Sequence, residues 1–88
     1  MSDQETLLTF PCDFPIKAMG RTNAGLVELL AGIVREHDPC FDETRMQVKP
    51  SRAGNYVSVT LRVRAVSKAQ LDAIYRAITA CEQVLFAL

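Results

Sequence analysis

The chain holds a single histidine, no excess charge of either sign and no long apolar run, and each shortage removes a class of function. With His37 alone, catalytic and metal sites built on two or more imidazoles are excluded. Ten basic and ten acidic side chains give a formal charge of zero, so no whole-molecule field draws the protein to nucleic acid or to an anionic membrane. An electrostatic partner must be met by a local patch. No apolar run approaches the roughly 18 residues of a membrane span, and the opening MSDQETLLTF has acids where a secretion signal has a basic region. The expectation is a cytoplasmic protein with no membrane partner. Cys12, Cys40 and Cys81 are odd in number and widely spaced, which suits free thiols in a reducing compartment rather than a disulfide framework. No Walker loop or dinucleotide fingerprint is present, and nothing around the thiols has a catalytic spacing. Neither an enzyme nor a cofactor is expected.

What the sequence does contain is a regular succession of elements. At 88 residues, 49% of them hydrophobic and 23% charged, the chain fits one folded domain with one core. Residues 1–13 show no period, and the segment PCDFP reads as an irregular arm whose Leu7, Leu8 and Phe10 fold back onto the body. From Phe14 the pattern alternates, with Phe14, Ile16 and Ala18 on one face and Lys17 and Met19 on the other, until Gly20 ends the strand. Thr22 or Asn23 then caps a helix whose apolar stripe is Leu26, Leu29, Leu30, Ile33 and Val34, and which stops before Pro39. Thr44, Met46 and Val48 alternate with Arg45, Gln47 and Lys49 as a second strand closed by Pro50. A third, longer strand follows the turn at Gly54 and Asn55, with Val57, Val59, Leu61, Val63 and Ala65 facing inward. Ser67 and Gln70 have the spacing of a capping box, and Leu71, Ile74, Tyr75 and Ile78 make the stripe of a second helix before the short strand VLFAL. Right-handed crossovers turn this order into an α+β fold, a ferredoxin-like βαββαβ sandwich with a four-stranded antiparallel sheet and both helices on one face, spanning residues 14–88.

Function would sit most naturally on the opposite sheet face. Between Arg45 and Arg64 the sequence collects Arg45, Lys49, Arg52, Arg62 and Arg64 with no acid in that span, so a locally basic surface exists within a neutral total. Sheets of this topology that read RNA stack bases on aromatics of the central strands, and here that face offers Tyr56 alone, at its edge. The turn KPSRAGNY, with Lys49, Ser51, Arg52, Asn55 and Tyr56, has two readings. Pro50, Gly54 and Asn55 suffice to close a hairpin, whereas exposed amides beside polar side chains are also a way to hold a carboxylate or phosphate. His37, Asp38, Cys40 and Asp42 cluster after the first helix but offer only two of the four cysteine or histidine ligands of a closed zinc site. His37 reads instead as a helix C-terminal histidine, and no metal is expected.

Two stretches, FPCDFPIKAMG at residues 10–20 and VKPSRAGNYVSVTLRV at residues 48–63, resemble the YbeD-like family of small bacterial proteins. The likeness covers nearly the whole chain and rests on Phe10, Pro11, Phe14, Lys17, Met19, Gly20, Lys49, Pro50, Ser51, Gly54, Asn55, Tyr56, Ser58 and Val59. It implies a ferredoxin-like domain similar to the small-molecule-binding regulatory domains of amino-acid biosynthetic enzymes, and it brings a suggested association with lipoate metabolism. It implies no catalytic residue. The expectation is therefore a non-catalytic regulatory or interaction module. It would bind a protein partner, a second copy of itself in a dimer, or a small anionic metabolite through the sheet face and the 49–56 turn. The alternative from another class is weak nucleic-acid binding by Arg45, Lys49, Arg52, Arg62 and Arg64.

Overall fold

The computed structural model describes residues 9–22 and 25–88. Its elements are β1 (Cys12–Arg21), α1 (Leu26–His37), a 3₁₀ turn (Glu43–Arg45), β2 (Met46–Pro50), β3 (Tyr56–Ala65), α2 (Lys68–Thr79) and β4 (Val84–Ala87). The strands form one antiparallel sheet in the order β2-β3-β1-β4, the ferredoxin-like arrangement expected from the alternation and helical stripes. Ile16 and Ala18 of β1, Val59, Leu61, Val63 and Ala65 of β3, Leu26, Leu30, Ala31 and Val34 of α1, and Leu71, Ile74 and Ile78 of α2 share one core with Phe41 from the loop after α1. Among the described residues both helices pack on this core side, and none lies against the opposite sheet face.

Three boundaries depart from the periodic reading, each for a local reason. β1 starts at Cys12 and runs on to Arg21, so Cys12 and Asp13 belong to the sheet rather than to an arm. Pro15 falls inside this central strand without disrupting it. Lys17 N and O bond to Leu88, so the backbone of Pro15, two residues earlier, faces the same side, beyond the reach of β4, where its missing N–H interrupts no pairing. Phe10, preceded by residues that include Leu7 and Leu8 outside the described set, does pack against the core. Gly20 is not a strand end; a Cβ there would lie 2.3 Å from the Gln83 carbonyl oxygen, so only glycine lets the β4 approach come this close.

The second departure removes Thr44 and Arg45 from β2. The Asp42 carboxylate accepts from Thr44 N at 2.9 Å and from the Thr44 hydroxyl, and these bonds hold it below the usual carboxylate range while nucleating the 3₁₀ turn. The apparent alternation at 44–45 is thus cap chemistry. Val48, on the inner face of the remaining strand, is 44% exposed because β2 is the sheet edge. The third departure is the cap of α1. The capping position is Gly25, with no side-chain bond, and Thr22 is engaged elsewhere; Asn23 lies outside the described residues. At α2 half of the capping box is present: Ser67 Oγ accepts from Gln70 N at 3.1 Å, while the Gln70 side chain accepts from Val66 N and not from Ser67 N.

Candidate functional site

The strand registers set the uncovered face in rows. Lys49, Ser58, Met19 and Phe86 lie side by side across β2, β3, β1 and β4. Gln47, Thr60 and Lys17 form the next row, Arg62 lies opposite Pro15, and Arg64 lies opposite Asp13. At the other end Tyr56 sits opposite Arg21, whose guanidinium stands 5.9 Å from the ring centroid. Lys17, Lys49, Arg62 and Arg64 are all exposed. Lys49, Arg62 and Arg64 of the expected basic surface therefore share this face with Lys17, which the strand alternation also places there.

Arg45 is the member that leaves the open patch. Its guanidinium lies 3.5 Å from Asp13 Oδ1 and 3.9 Å from Asp38 Oδ2, so acids from β1 and from the end of α1 are folded against a cation that the span 45–64 leaves unopposed. Asp38 is 3% exposed and accepts from Cys40 N at 3.1 Å and Arg64 N at 2.9 Å. It completes the β3 edge where β2 stops. This also disperses the residues after α1: Asp38 points inward, Asp42 caps the 3₁₀ turn, and His37 Nδ1 donates to Ile33 O at 3.0 Å in the last helical turn. Arg45 and Arg62 nevertheless line one shallow cavity of about 280 Å³ together with Thr44, Gln47 and Thr60.

The turn spends its polar groups on itself. Ser51 N donates to Tyr56 O at 2.8 Å, Tyr56 N to Ser51 Oγ at 3.2 Å, and Gly54 N to Ser51 O at 3.0 Å. Gly54 takes a φ of 82°, which closes the hairpin, and Thr22 clamps the tip by donating its N–H to Asn55 O and its hydroxyl to Gly54 O. The amides of Ser51, Gly54 and Tyr56 are therefore engaged within the hairpin, and Ser51 serves there as a hairpin residue. Arg52 and Asn55 remain exposed at the tip. Beside the turn, Met19, Lys49, Pro50, Ser51, Tyr56 and Ser58 line a dent of about 190 Å³, smaller than the roughly 300 Å³ at which ligand pockets usually begin.

Asp13, Arg21, Thr22 and Asp38 are the residues that sequence reading missed here. The β1 alternation that carries Lys17 and Met19 reaches Arg21 in one direction and Asp13 in the other; Thr22 and Asp38 are linked to the site only by folding.

Among the described residues no helix is long and apolar enough to cross a membrane. The profile of a family described as "Protein of unknown function (DUF493)" matches residues 5–88. A UPF0250 protein of Paraburkholderia phytofirmans is 47% identical over 78 residues, covering 89% of this chain and 88% of the relative. One from a Janthinobacterium species is 45% identical over 84 residues, covering 96% and 92%. The solution structure of protein HP0495 from H. pylori is similar with a TM-score of 0.68 at 19% identity, covering 92% of this chain and 85% of that one, and bears on the fold alone. Profile, relatives and the two matching stretches agree, and the chain belongs to the DUF493, or UPF0250, family of unknown function to which YbeD belongs.

Proposed function

We propose that this protein is a non-catalytic regulatory or interaction module whose uncovered sheet face receives an acidic protein surface. The observation that carries the reading is the group Lys17, Lys49, Arg62 and Arg64, exposed on a rigid sheet with Asp13 the acidic strand residue on that face among the described residues. The strands fix the backbone positions of these charges, so no segment has to order when a partner arrives, and the local field favours complementarity and fast encounter. Of the exposed aromatics on this face, Tyr56 is already paired with Arg21 and Phe86 lies on the edge strand β4, so the central strands carry no free stacking ring, which weakens the case for a base-stacking platform. The suggested association with lipoate metabolism enters here as a guide to which partner to look for.

The test is capture of partners by the tagged protein and by an Arg62→Glu, Arg64→Glu double variant, with each lysate split into nuclease-treated and untreated halves. Both arginines are exposed, so the variant is expected to fold normally. A near-stoichiometric acidic protein that survives nuclease and is lost by the variant supports the proposal. Recovery that collapses on nuclease treatment, with a steep salt dependence, replaces it with nucleic-acid binding. A second reading, binding of a small anionic metabolite, is favoured by the convergence of Arg45 and Arg62 in one cavity. It requires that Gln47→Ala and Thr60→Ala, which line that cavity, weaken the ligand while protein capture is unchanged.

A further inference from the structure

Among the described residues the sheet has three stretches of open edge, and only one lacks the devices by which edge strands avoid pairing. On β2 the backbone groups that point away from β3 belong to Met46, Val48 and Pro50, because Gln47 and Lys49 pair with Thr60 and Ser58 in the same alternation that turns the backbone of Tyr56 and Arg64 toward this side. Met46 N already donates to Glu43 O, Pro50 has no N–H, and Lys49 adds charge beside them. On the first half of β1, beyond Lys17, Pro15 again lacks the donor and Asp13 adds a carboxylate. β4 has none of these. The side chains of Val84–Ala87 and the following Leu88 include no charged group and no proline, and Leu85, Phe86 and Leu88 are about half or more exposed, at 50%, 48% and 69%. The bulge opposite Gly20 lies at the start of the strand and leaves Phe86 and Ala87 in regular register with Met19 and Ala18.

β4 is also held ready. Leu88 N donates to Lys17 O at 2.7 Å, while Leu88 O accepts from Lys17 N at 3.1 Å and from the Tyr75 hydroxyl at 2.7 Å. Because Phe86 and Leu88 turn their backbone toward β1, Ala87 turns its N–H and C=O outward. An extended, apolar, pre-ordered edge of this kind is a template for another strand.

We infer that β4 is a self-association edge, and that a second copy of this chain pairs with it antiparallel across a two-fold axis at Phe86. Two observations point to a second copy rather than another occupant. A two-fold axis makes a strand its own antiparallel partner, and VLFAL is itself the kind of apolar, β-forming segment that such an edge selects. The seam is also free of repulsion in that arrangement: no side chain from Val84 to Leu88 is charged, so reversal opposes no like charges along the paired strands. With the axis at Phe86, Leu85 of one copy faces Ala87 of the other, and the two phenylalanine rings meet on the uncovered face beside Met19. The inference concerns the edge and stands independently of the acidic-partner proposal for the face. A contact of one short strand is small, so the dimer is expected in the range of about 10 μM to 1 mM.

Sedimentation equilibrium of the full chain, up to about 1 mM, is the test. The expected result is a monomer–dimer equilibrium that Phe86→Lys and Phe86→Glu each weaken by about tenfold or more, and that an equimolar mixture of the two variants restores. Circular dichroism confirms the fold of each variant, since Phe86 is half exposed and outside the core. Amide exchange gives a second readout: protection of the Ala87 N–H should rise with protein concentration, while that of Val48 on the opposite edge should not. A chain monomeric at all concentrations overturns the inference, as does a dimer indifferent to both variants or a mixture no more associated than its components. An Ala87 amide protected in the monomer also overturns it, by showing that another segment of the chain covers the edge.

Discussion

Replacing Asp38 by alanine takes the acceptor away from the Cys40 and Arg64 amides at once and leaves the buried side of the Arg45 guanidinium without its carboxylate. Lost charge-assisted bonds to buried groups are worth more than exposed ion pairs, and the variant is expected to lose about 3 kcal/mol in urea unfolding. Arg45→Met is expected to cost less, since Asp38 keeps both amide donors. A loss under about 1 kcal/mol for Asp38→Ala would mean that water takes over at the β3 edge. Nothing in the local sequence announces this role. Asp38 sits in HDPC, next to a proline and a cysteine, and its decisive partner is 26 residues away. Arg45 shows the same problem from the other side, because an excess of cations in one segment says nothing about acids that another segment will bring to it.

At the scale of elements, Gln70 joins three of them. Its Oε1 accepts from Val66 N at 2.7 Å, and its Nε2 donates to His37 O at 2.8 Å and Arg64 O at 3.2 Å, so the end of α1, the end of β3 and the start of α2 share one side chain. Ser67→Ala, which removes the cap alone, is expected to cost about 1 kcal/mol. Gln70→Ala is expected to cost about 2 kcal/mol, because it also strands the α1 carbonyl and the Val66 amide. Equal losses for the two variants, measured by denaturant unfolding, would reduce Gln70 to an ordinary capping-box member. The elements themselves were largely legible: period-two alternation marks β1 and β3, and the three-and-four spacing marks α1 and α2, because each element buries one face on the same core. The failures fall where local hydrogen bonding imitates or interrupts a period. Asp42 and Thr44 turn a strand-like alternation into a 3₁₀ turn, and Pro15 sits inside a strand because pairing on its side has already ended.

The whole molecule combines zero formal charge with a strongly local distribution of it, and the two properties predict opposite responses to salt. Stability comes from a core in which Ile16, Leu30, Leu61, Ile74 and Ile78 are fully enclosed and both helices share the packing. The ion pairs among the described residues are the Arg45 contacts with Asp13 and Asp38 and the exposed Lys68–Asp72 pair, whose 3.3 Å contact on the surface of α2 contributes about 0.5 kcal/mol or less. Raising sodium chloride to about 1 M, where the Debye length is about 3 Å, is therefore expected to move the thermal midpoint by less than about 5 °C. The same salt is expected to weaken capture of an acidic partner by about tenfold or more, because the charges of Lys17, Lys49, Arg62 and Arg64 are exposed and screened along with their partner's. Self-association through Leu85 and Phe86 is expected to follow stability rather than capture, since its contacts are backbone bonds and apolar surface. Measuring all three against one salt series separates face from edge: capture that persists at high salt would transfer the partner to the apolar β4 strip, and dimerisation that falls with capture would tie both events to the same charges.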